Sequence, residues 1–203
     1  MTYVWFNPVV INMYGWEQLE YVAKKTDLQP IQCKEDWGNF VKDRYRQEIA
    51  DSKKTILDMR CPKAVDYIKN NFPVEEYVFP DIEPILLHCA REVQRYLSEY
   101  DELIVITPCK ELAVSGNNLE LKNTTFLPFT DLRKRATLDL IPKELEESPI
   151  PPGFFSKISK KSIMLTGQDQ IHAFFSKSQK INAEVIELLY CPQGCHKGPG
   201  VRE

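Results

Sequence analysis

A chain of 203 residues suits one ordinary domain or two closely packed lobes, and it is long enough to bury a core without a disulfide or metal merely to fold. Lys and Arg number 26 against 29 Asp and Glu, a net charge of −3, so no basic face for nucleic acid is evident. With 43% hydrophobic and 11% aromatic residues the chain is not disordered, and the composition is that of a cytoplasmic globular protein.

The stretch from Met1 to Met13 is interrupted by Asn7, Pro8 and Asn12 and has no basic flank, which argues against a signal peptide. The best apolar run, Leu103–Ile106, has the size of a strand, so no membrane span is expected. Helical spacing marks 16–25 and 37–50, with Asp36 placed to cap the second. A strand is expected at 54–59, then a helix at 62–70 opened by Pro62. The longest helix is expected at 83–100, with Ile85, Leu86, Cys89, Val93 and Leu97 on one side. Strands follow at 103–107 and, more weakly, 125–129, then a short helix at 131–140. A proline-rich segment, 142–155, reads as a rigid extended strap. A helix at 168–180 and a strand or buried segment at 183–190 complete the pattern. Strands alternating with helices indicate an α/β fold with a mainly parallel sheet.

The cysteines carry the chemistry. Cys61, Cys109 and Cys191 each lie just past an expected strand, at the carboxyl edge where open parallel sheets bind ligands. Three segments would thus deliver thiols to one side, and Cys195 adds a fourth through C-P-Q-G-C, where Gly194 permits a tight turn. In a reducing compartment such thiols are more often ligands or nucleophiles than disulfides. Zinc takes thiols in close pairs, whereas iron–sulfur clusters accept long, irregular spacing with proline beside a ligand. Pro62, Pro108 and Pro192 each neighbour a candidate, so the spacing favours the cluster over zinc. Burial as ordinary core cysteines accounts for Cys33 and Cys89, but poorly for C-P-Q-G-C.

Three segments together, R-C-P-K-A-V at Cys61, T-P-C-K-E at Cys109 and E-L-L-Y-C-P-Q-G-C-H-K-G-P through Cys195, resemble the catalytic domain of the iron-only ([FeFe]) hydrogenase large subunit. The likeness runs from about Ile56 to the end, includes the stretch from Glu83-Pro84 to Leu97, and is most similar to the sensory or regulatory branches. It implies an α/β fold of two small lobes, about 1–107 and 108–203, with partly parallel sheets flanked by helices. It also implies that Cys61, Cys109, Cys191 and Cys195 ligate a [4Fe–4S] cubane, and that Cys195 bridges to a diiron unit in the family.

Departures from that pattern bear on activity. Arg60 stands where the family places a proton-relay cysteine, and Thr107 and Leu189 where methionines pack against the diiron unit. Leu112 stands where a lysine would hydrogen-bond a cyanide ligand, with Lys110 out of register, and Gly198-Pro199-Gly200 replaces a triple-glycine run. The cubane needs only its thiolates, whereas the diiron unit relies on polar neighbours, and a lost charge-assisted donor costs on the order of 2 kcal/mol.

The expectation is therefore a [4Fe–4S] protein with an electron-transfer or redox-sensing role, the diiron unit lost, and a redox or signalling protein as partner. A minimal hydrogenase relaying protons through Glu83, Glu111 or His196, and a scaffold with a vestigial site, are the alternatives. His88, His172, the basic run 157–161 and the aromatics Phe154, Phe155, Phe174 and Phe175 read as packing or solvated surface.

Overall fold

The computed structural model describes residues 1–137, 139–146, 152–177 and 181–202. The chain forms two compact units: unit 1 comprises 1–35, 86–150 and 195–203, and unit 2 comprises 36–85 and 151–194. The division differs from the expected break near Thr107. The chain leaves unit 1 after Glu35, returns at Leu86, leaves again and comes back for its last residues.

Unit 1 is built on a four-stranded sheet in the order β2-β1-β5-β6, with β1 Thr2–Trp5, β2 Gln29–Pro30, β5 Glu102–Thr107 and β6 Thr124–Pro128. Every pairing in it is parallel, with Val4 opposite Ile104 and Val105 opposite Phe126. Side chains alternate along a strand, so Val4, Phe6, Ile104 and Ile106 share one face. That face packs on α1 (Pro8–Tyr14), α2 (Trp16–Lys25) and α7 (Phe129–Ala136) through Val9, Val10, Met13, Leu19, Val22 and Leu132. Near the opposite face, α6 (Lys110–Asn117) brings Gly116 so close to the Phe126 ring that a Cβ would lie 2.2 Å from it.

Unit 2 repeats the architecture with the order β4-β3-β8-β7: β3 Thr55–Leu57, β4 Tyr77–Val78, β7 Ser162–Thr166 and β8 Val185–Leu189, again all parallel. Both faces are covered, which is why β8 is apolar at four of its five residues. Leu57, Ile186 and Leu188 meet α4 (Pro62–Asn71) and α8 (Gln168–Phe175) through Ala64, Ile68 and Ile171. Ile56 and Val185 meet Val41 and Tyr45 of α3 (Trp37–Asp51) together with Phe155.

The α/β class expected from the alternation is thus present as two all-parallel sheets. Asp36 caps α3 as expected, its Oδ1 accepting from Asn39 N at 3.0 Å. The expected long helix at 83–100 is instead α5, Ile85–Gln94, and α3 is longer. Beyond Gln94 the amides of Arg95, Tyr96 and Leu97 bond three residues back, and Asp101 captures Ser98 N at 3.0 Å, which turns the chain. The helix expected at 131–140 starts two residues earlier and stops at Thr137, which takes a left-handed conformation at φ 52°. Much of the proline-rich strap, 147–151, lies outside the described residues, as does the end of the helix expected at 168–180. Among the described residues no helix is long and apolar enough to cross a membrane.

Candidate metal centre

In unit 2 β3 leads to β4 and β7 to β8 in the same direction across the sheet, with α4 and α8 on one face, whereas in unit 1 the chain order reverses between the central strands β1 and β5. Loops at the carboxyl ends of such a pair diverge and leave a crevice, the usual ligand position in an open parallel sheet. Cys61 follows β3, Cys191 follows β8 and Cys109 follows β5, so three of the four expected ligands stand at the carboxyl ends of central strands, Cys109 at the reversal point. They do not share one sheet edge, as the sequence pattern suggested, because β5 belongs to the other sheet. Cys61 and Cys191 are in unit 2, and Cys109 and Cys195 are in unit 1.

In unit 2, Cys61 is the N-cap of α4, ahead of Pro62. It packs against the Leu57, Ala64 and Leu188 cluster. Burial pushes its thiol up to about 11; the backbone amides of Tyr190 and Ala64 pull it back, while Asp58 and Cys191 add to the rise. Cys191 is therefore near enough to feel its charge. Lys63 Nζ sits 4.7 Å from the centroid of the Tyr190 ring beside Cys191. The C-P-Q-G-C turn closes as expected, Gly194 N donating to Cys191 O at 3.2 Å with Gly194 at φ 118°, a conformation that favours glycine.

In unit 1, Cys109 is the N-cap of α6, and its Sγ accepts from Leu112 N at 3.4 Å. A thiolate at either N-cap faces the positive end of a helix, which stabilises negative charge. Cys195 opens a short 3-10 helix, Cys195–Lys197, and packs on the unit 1 core. The strand of chain that follows it lies on Cys109: a Cβ at Gly200 would be 2.4 Å from Pro108 O and 2.7 Å from Cys109 Cα. Val201 anchors that segment in the core, and Tyr14 Oη donates to Val201 O at 2.7 Å.

All six cysteines are thiols. Each unit contains two of the candidate ligands, and among the described residues no group of three or more His, Cys, Asp or Glu side chains is arranged to hold a metal ion. The donor set nonetheless suits a thiolate-bound cluster in two respects, helix N-termini behind two of the sulfurs and a largely apolar setting for Cys61.

The replaced positions behave as side chains of a dry interior. Thr107 is buried and its Oγ1 donates to Cys109 O at 2.8 Å, while Leu112 and Leu189 are buried apolar residues. Arg60 is buried and turned to carboxylate partners. Its Nε lies 2.9 and 3.1 Å from the Asp58 carboxylate oxygens, and its Nη2 lies 2.8 Å from Asp58 and 2.9 Å from Glu187. Its Cζ is 3.9 Å from the centroid of the Phe154 ring, with Phe155 at 5.0 Å on the same side. Gly153 N donates to Glu187, and Tyr45 Oη donates to Asp58 at 3.3 Å.

Sequence reading missed this buried ion-pair network, although an acidic residue inside an otherwise apolar strand, Glu187 in V-I-E-L-L, signals such a partner. His196 is fully buried, and neither ring nitrogen has a hydrogen-bond partner. Burial holds its pKa below the usual imidazole value. His172 is exposed, its Nδ1 2.8 Å from Tyr67 Oη.

Compared with protein-family models, with curated proteins and with solved structures, the chain gives no match. Fold and cysteine placement therefore define a class only: a protein of two parallel α/β sheets with a thiol directly after three of their four central strands.

Proposed function

We propose that this chain binds a [4Fe–4S] cluster through Cys61, Cys109, Cys191 and Cys195 and serves in electron transfer or redox sensing, on a fold like that of the iron-only hydrogenase catalytic domain. The supporting observation is the placement of Cys61, Cys191 and Cys109 directly after central strands, with Cys195 on the segment that packs over Cys109. When bound, the cluster supplies one-electron redox chemistry at thiolate-ligated iron.

The chain's own residues hold the sulfurs and exclude water. The α4 and α6 N-termini favour the thiolate form, Leu112 N donates to Cys109, and the Leu57, Ala64 and Leu188 cluster shields Cys61. Arg60 is committed to Asp58 and Glu187 and relays no proton to Cys61. With apolar side chains at Leu112 and Leu189, the polar neighbours that would orient a diiron unit are missing at those positions, so the reading is a cluster protein without hydrogen turnover.

Anaerobic reconstitution with iron and sulfide is the test. About four irons and four sulfides per chain, falling together when any one of the four cysteines is changed to Ser, are the expected result. A protein that stays folded yet takes up no iron, or takes up iron independently of these cysteines, overturns it.

A further inference from the structure

Cys33 and Cys89 form a second sulfur site, independent of the four candidate ligands. Both were expected to be ordinary core cysteines, and Cys89 is buried on the inner side of α5 as that reading requires. Cys33, however, is only half-buried, and its Sγ lies 3.5 Å from Cys89 Sγ. We propose that Cys33 and Cys89 are a redox-active dithiol that a small-molecule disulfide, such as oxidised glutathione, converts to an intramolecular disulfide, with Cys33 as the attacking sulfur and Cys89 as the resolving one.

Three elements build the site. Glu92, one turn beyond Cys89 on α5, accepts from Lys34 N at 2.6 Å and from Glu35 N at 3.2 Å, and so ties the segment carrying Cys33 down onto the helix. Trp5, at the end of β1, contributes a side-chain hydrogen bond to Cys33. Tyr96 Oη also donates to Glu92, and Lys34 Nζ covers the Tyr96 ring at 4.8 Å. The carboxylate thus acts as a clamp on the backbone, and the two sulfurs meet as a consequence.

Roles divide by environment. The hydrogen bond from Cys89 brings the Cys33 thiol down to about 7, against the opposing effects of burial and Glu92. Sharing with Cys33, and then burial, push the Cys89 thiol well above its usual range. The half-buried Cys33 is therefore the one that ionises and the buried Cys89 keeps its proton, as in a nucleophile and resolver pair.

The steps balance. Cys33 thiolate attacks one sulfur of the oxidised disulfide, forming a mixed disulfide and releasing one thiolate, which takes up the proton lost from Cys89. The Cys89 thiolate then attacks Cys33 Sγ, forming the Cys33–Cys89 bond and releasing the second thiolate, protonated from solvent by the proton Cys33 gave up. Two protein thiols and one small disulfide become one protein disulfide and two small thiols. The sulfurs must approach from 3.5 Å to the bonding distance of about 2.05 Å, a side-chain adjustment. The cross-link closes a loop between residues 56 apart in sequence, spanning the whole 36–85 segment of unit 2.

The full chain is equilibrated with oxidised and reduced glutathione near neutral pH, quenched in acid, alkylated and mapped by peptide mass. The expected product is a Cys33–Cys89 peptide two hydrogens lighter than its reduced parts. In Cys89→Ser, glutathione is expected to remain bound at Cys33. A thiol at about 7 holds roughly fifty times more thiolate at neutral pH than one at 9 and is roughly eight times less nucleophilic, so Cys33 should react about six-fold faster than an equally exposed ordinary cysteine. A wild-type protein that carries glutathione on Cys33 without forming the cross-link, that links other cysteines in preference, or that does not react at Cys33 overturns the proposal. Since the readout is the linkage itself, failure of the iron reconstitution leaves it standing.

Discussion

Replacing Arg60 with Met should cost unit 2 a large share of its stability, and the size follows from what is left behind. The Asp58 side chain is 0% exposed and that of Glu187 1%. The substitution removes four short nitrogen–oxygen contacts and the stacking on Phe154. Breaking a buried ion pair by deleting one partner costs about 3–5 kcal/mol, because the remaining charge has neither water nor countercharge. Lost cation–π stacking adds about 1 kcal/mol. Against a typical total of about 5–15 kcal/mol, the variant is marginal.

The pH dependence carries a definite sign. Burial, set against the pull of Arg60 and the push of Asp58, already holds the Glu187 carboxyl above its ordinary value of 4.5. Without Arg60 the folded value climbs further, so the folded state binds a proton where the unfolded state does not. Stability of the variant therefore rises as pH falls through that folded value, and the deficit against wild type narrows toward acid. Urea unfolding followed by Trp37, which lies in α3 of unit 2, measures both effects. Changing Arg60, Asp58 and Glu187 together to Met, Asn and Gln should cost less than Arg60→Met alone, because no buried charge remains. A loss below about 1 kcal/mol at neutral pH, or a deficit that does not narrow in acid, refutes the reasoning.

Gly200→Ala drives a Cβ into Pro108 O and Cys109 Cα, backbone atoms that cannot rotate aside, and should destabilise unit 1 by about 1–3 kcal/mol in urea unfolding and speed alkylation of Cys109. Asp101 is held at about 2 by hydrogen bonds from the Met1 ammonium and from Ser98. A depressed carboxylate stabilises above its ordinary value of 3.8 and loses that contribution as pH falls through about 2, so Asp101→Asn should flatten the stability profile across that acid window.

Local signals made most elements readable. Pro62 behind a strand and Asp36 ahead of an amphipathic run specify helix starts from sequence neighbours alone, and α4 and α3 begin at 62 and 37. The same kind of signal precedes α1, where Asn7 accepts from Val9 N and Pro8 stands in the first turn, but a helix of seven residues is too short for its apolar spacing to register. The two-residue strands β2 and β4 have too few side chains for a period of two to register. Strand ends placed Cys61, Cys109 and Cys191 correctly after β3, β5 and β8, yet which sheet each strand joins depends on pairing partners far along the chain, such as Ile56 with Val185. The Arg60 network was hidden for the same reason: Asp58 is a neighbour in sequence, but Glu187 is 127 residues away.

The interleaving of the units sets an order for folding during synthesis. Unit 2 is complete once Gly194 has been made, whereas the core of unit 1 still lacks Val201 and Tyr14 still lacks its carbonyl partner 187 residues downstream. Val9, Val10 and Met13 therefore wait through the synthesis of all of unit 2 for the segment that covers them. The apolar side of α1 is thus sealed only after unit 2 is complete, and in that interval it is open to a nascent-chain chaperone.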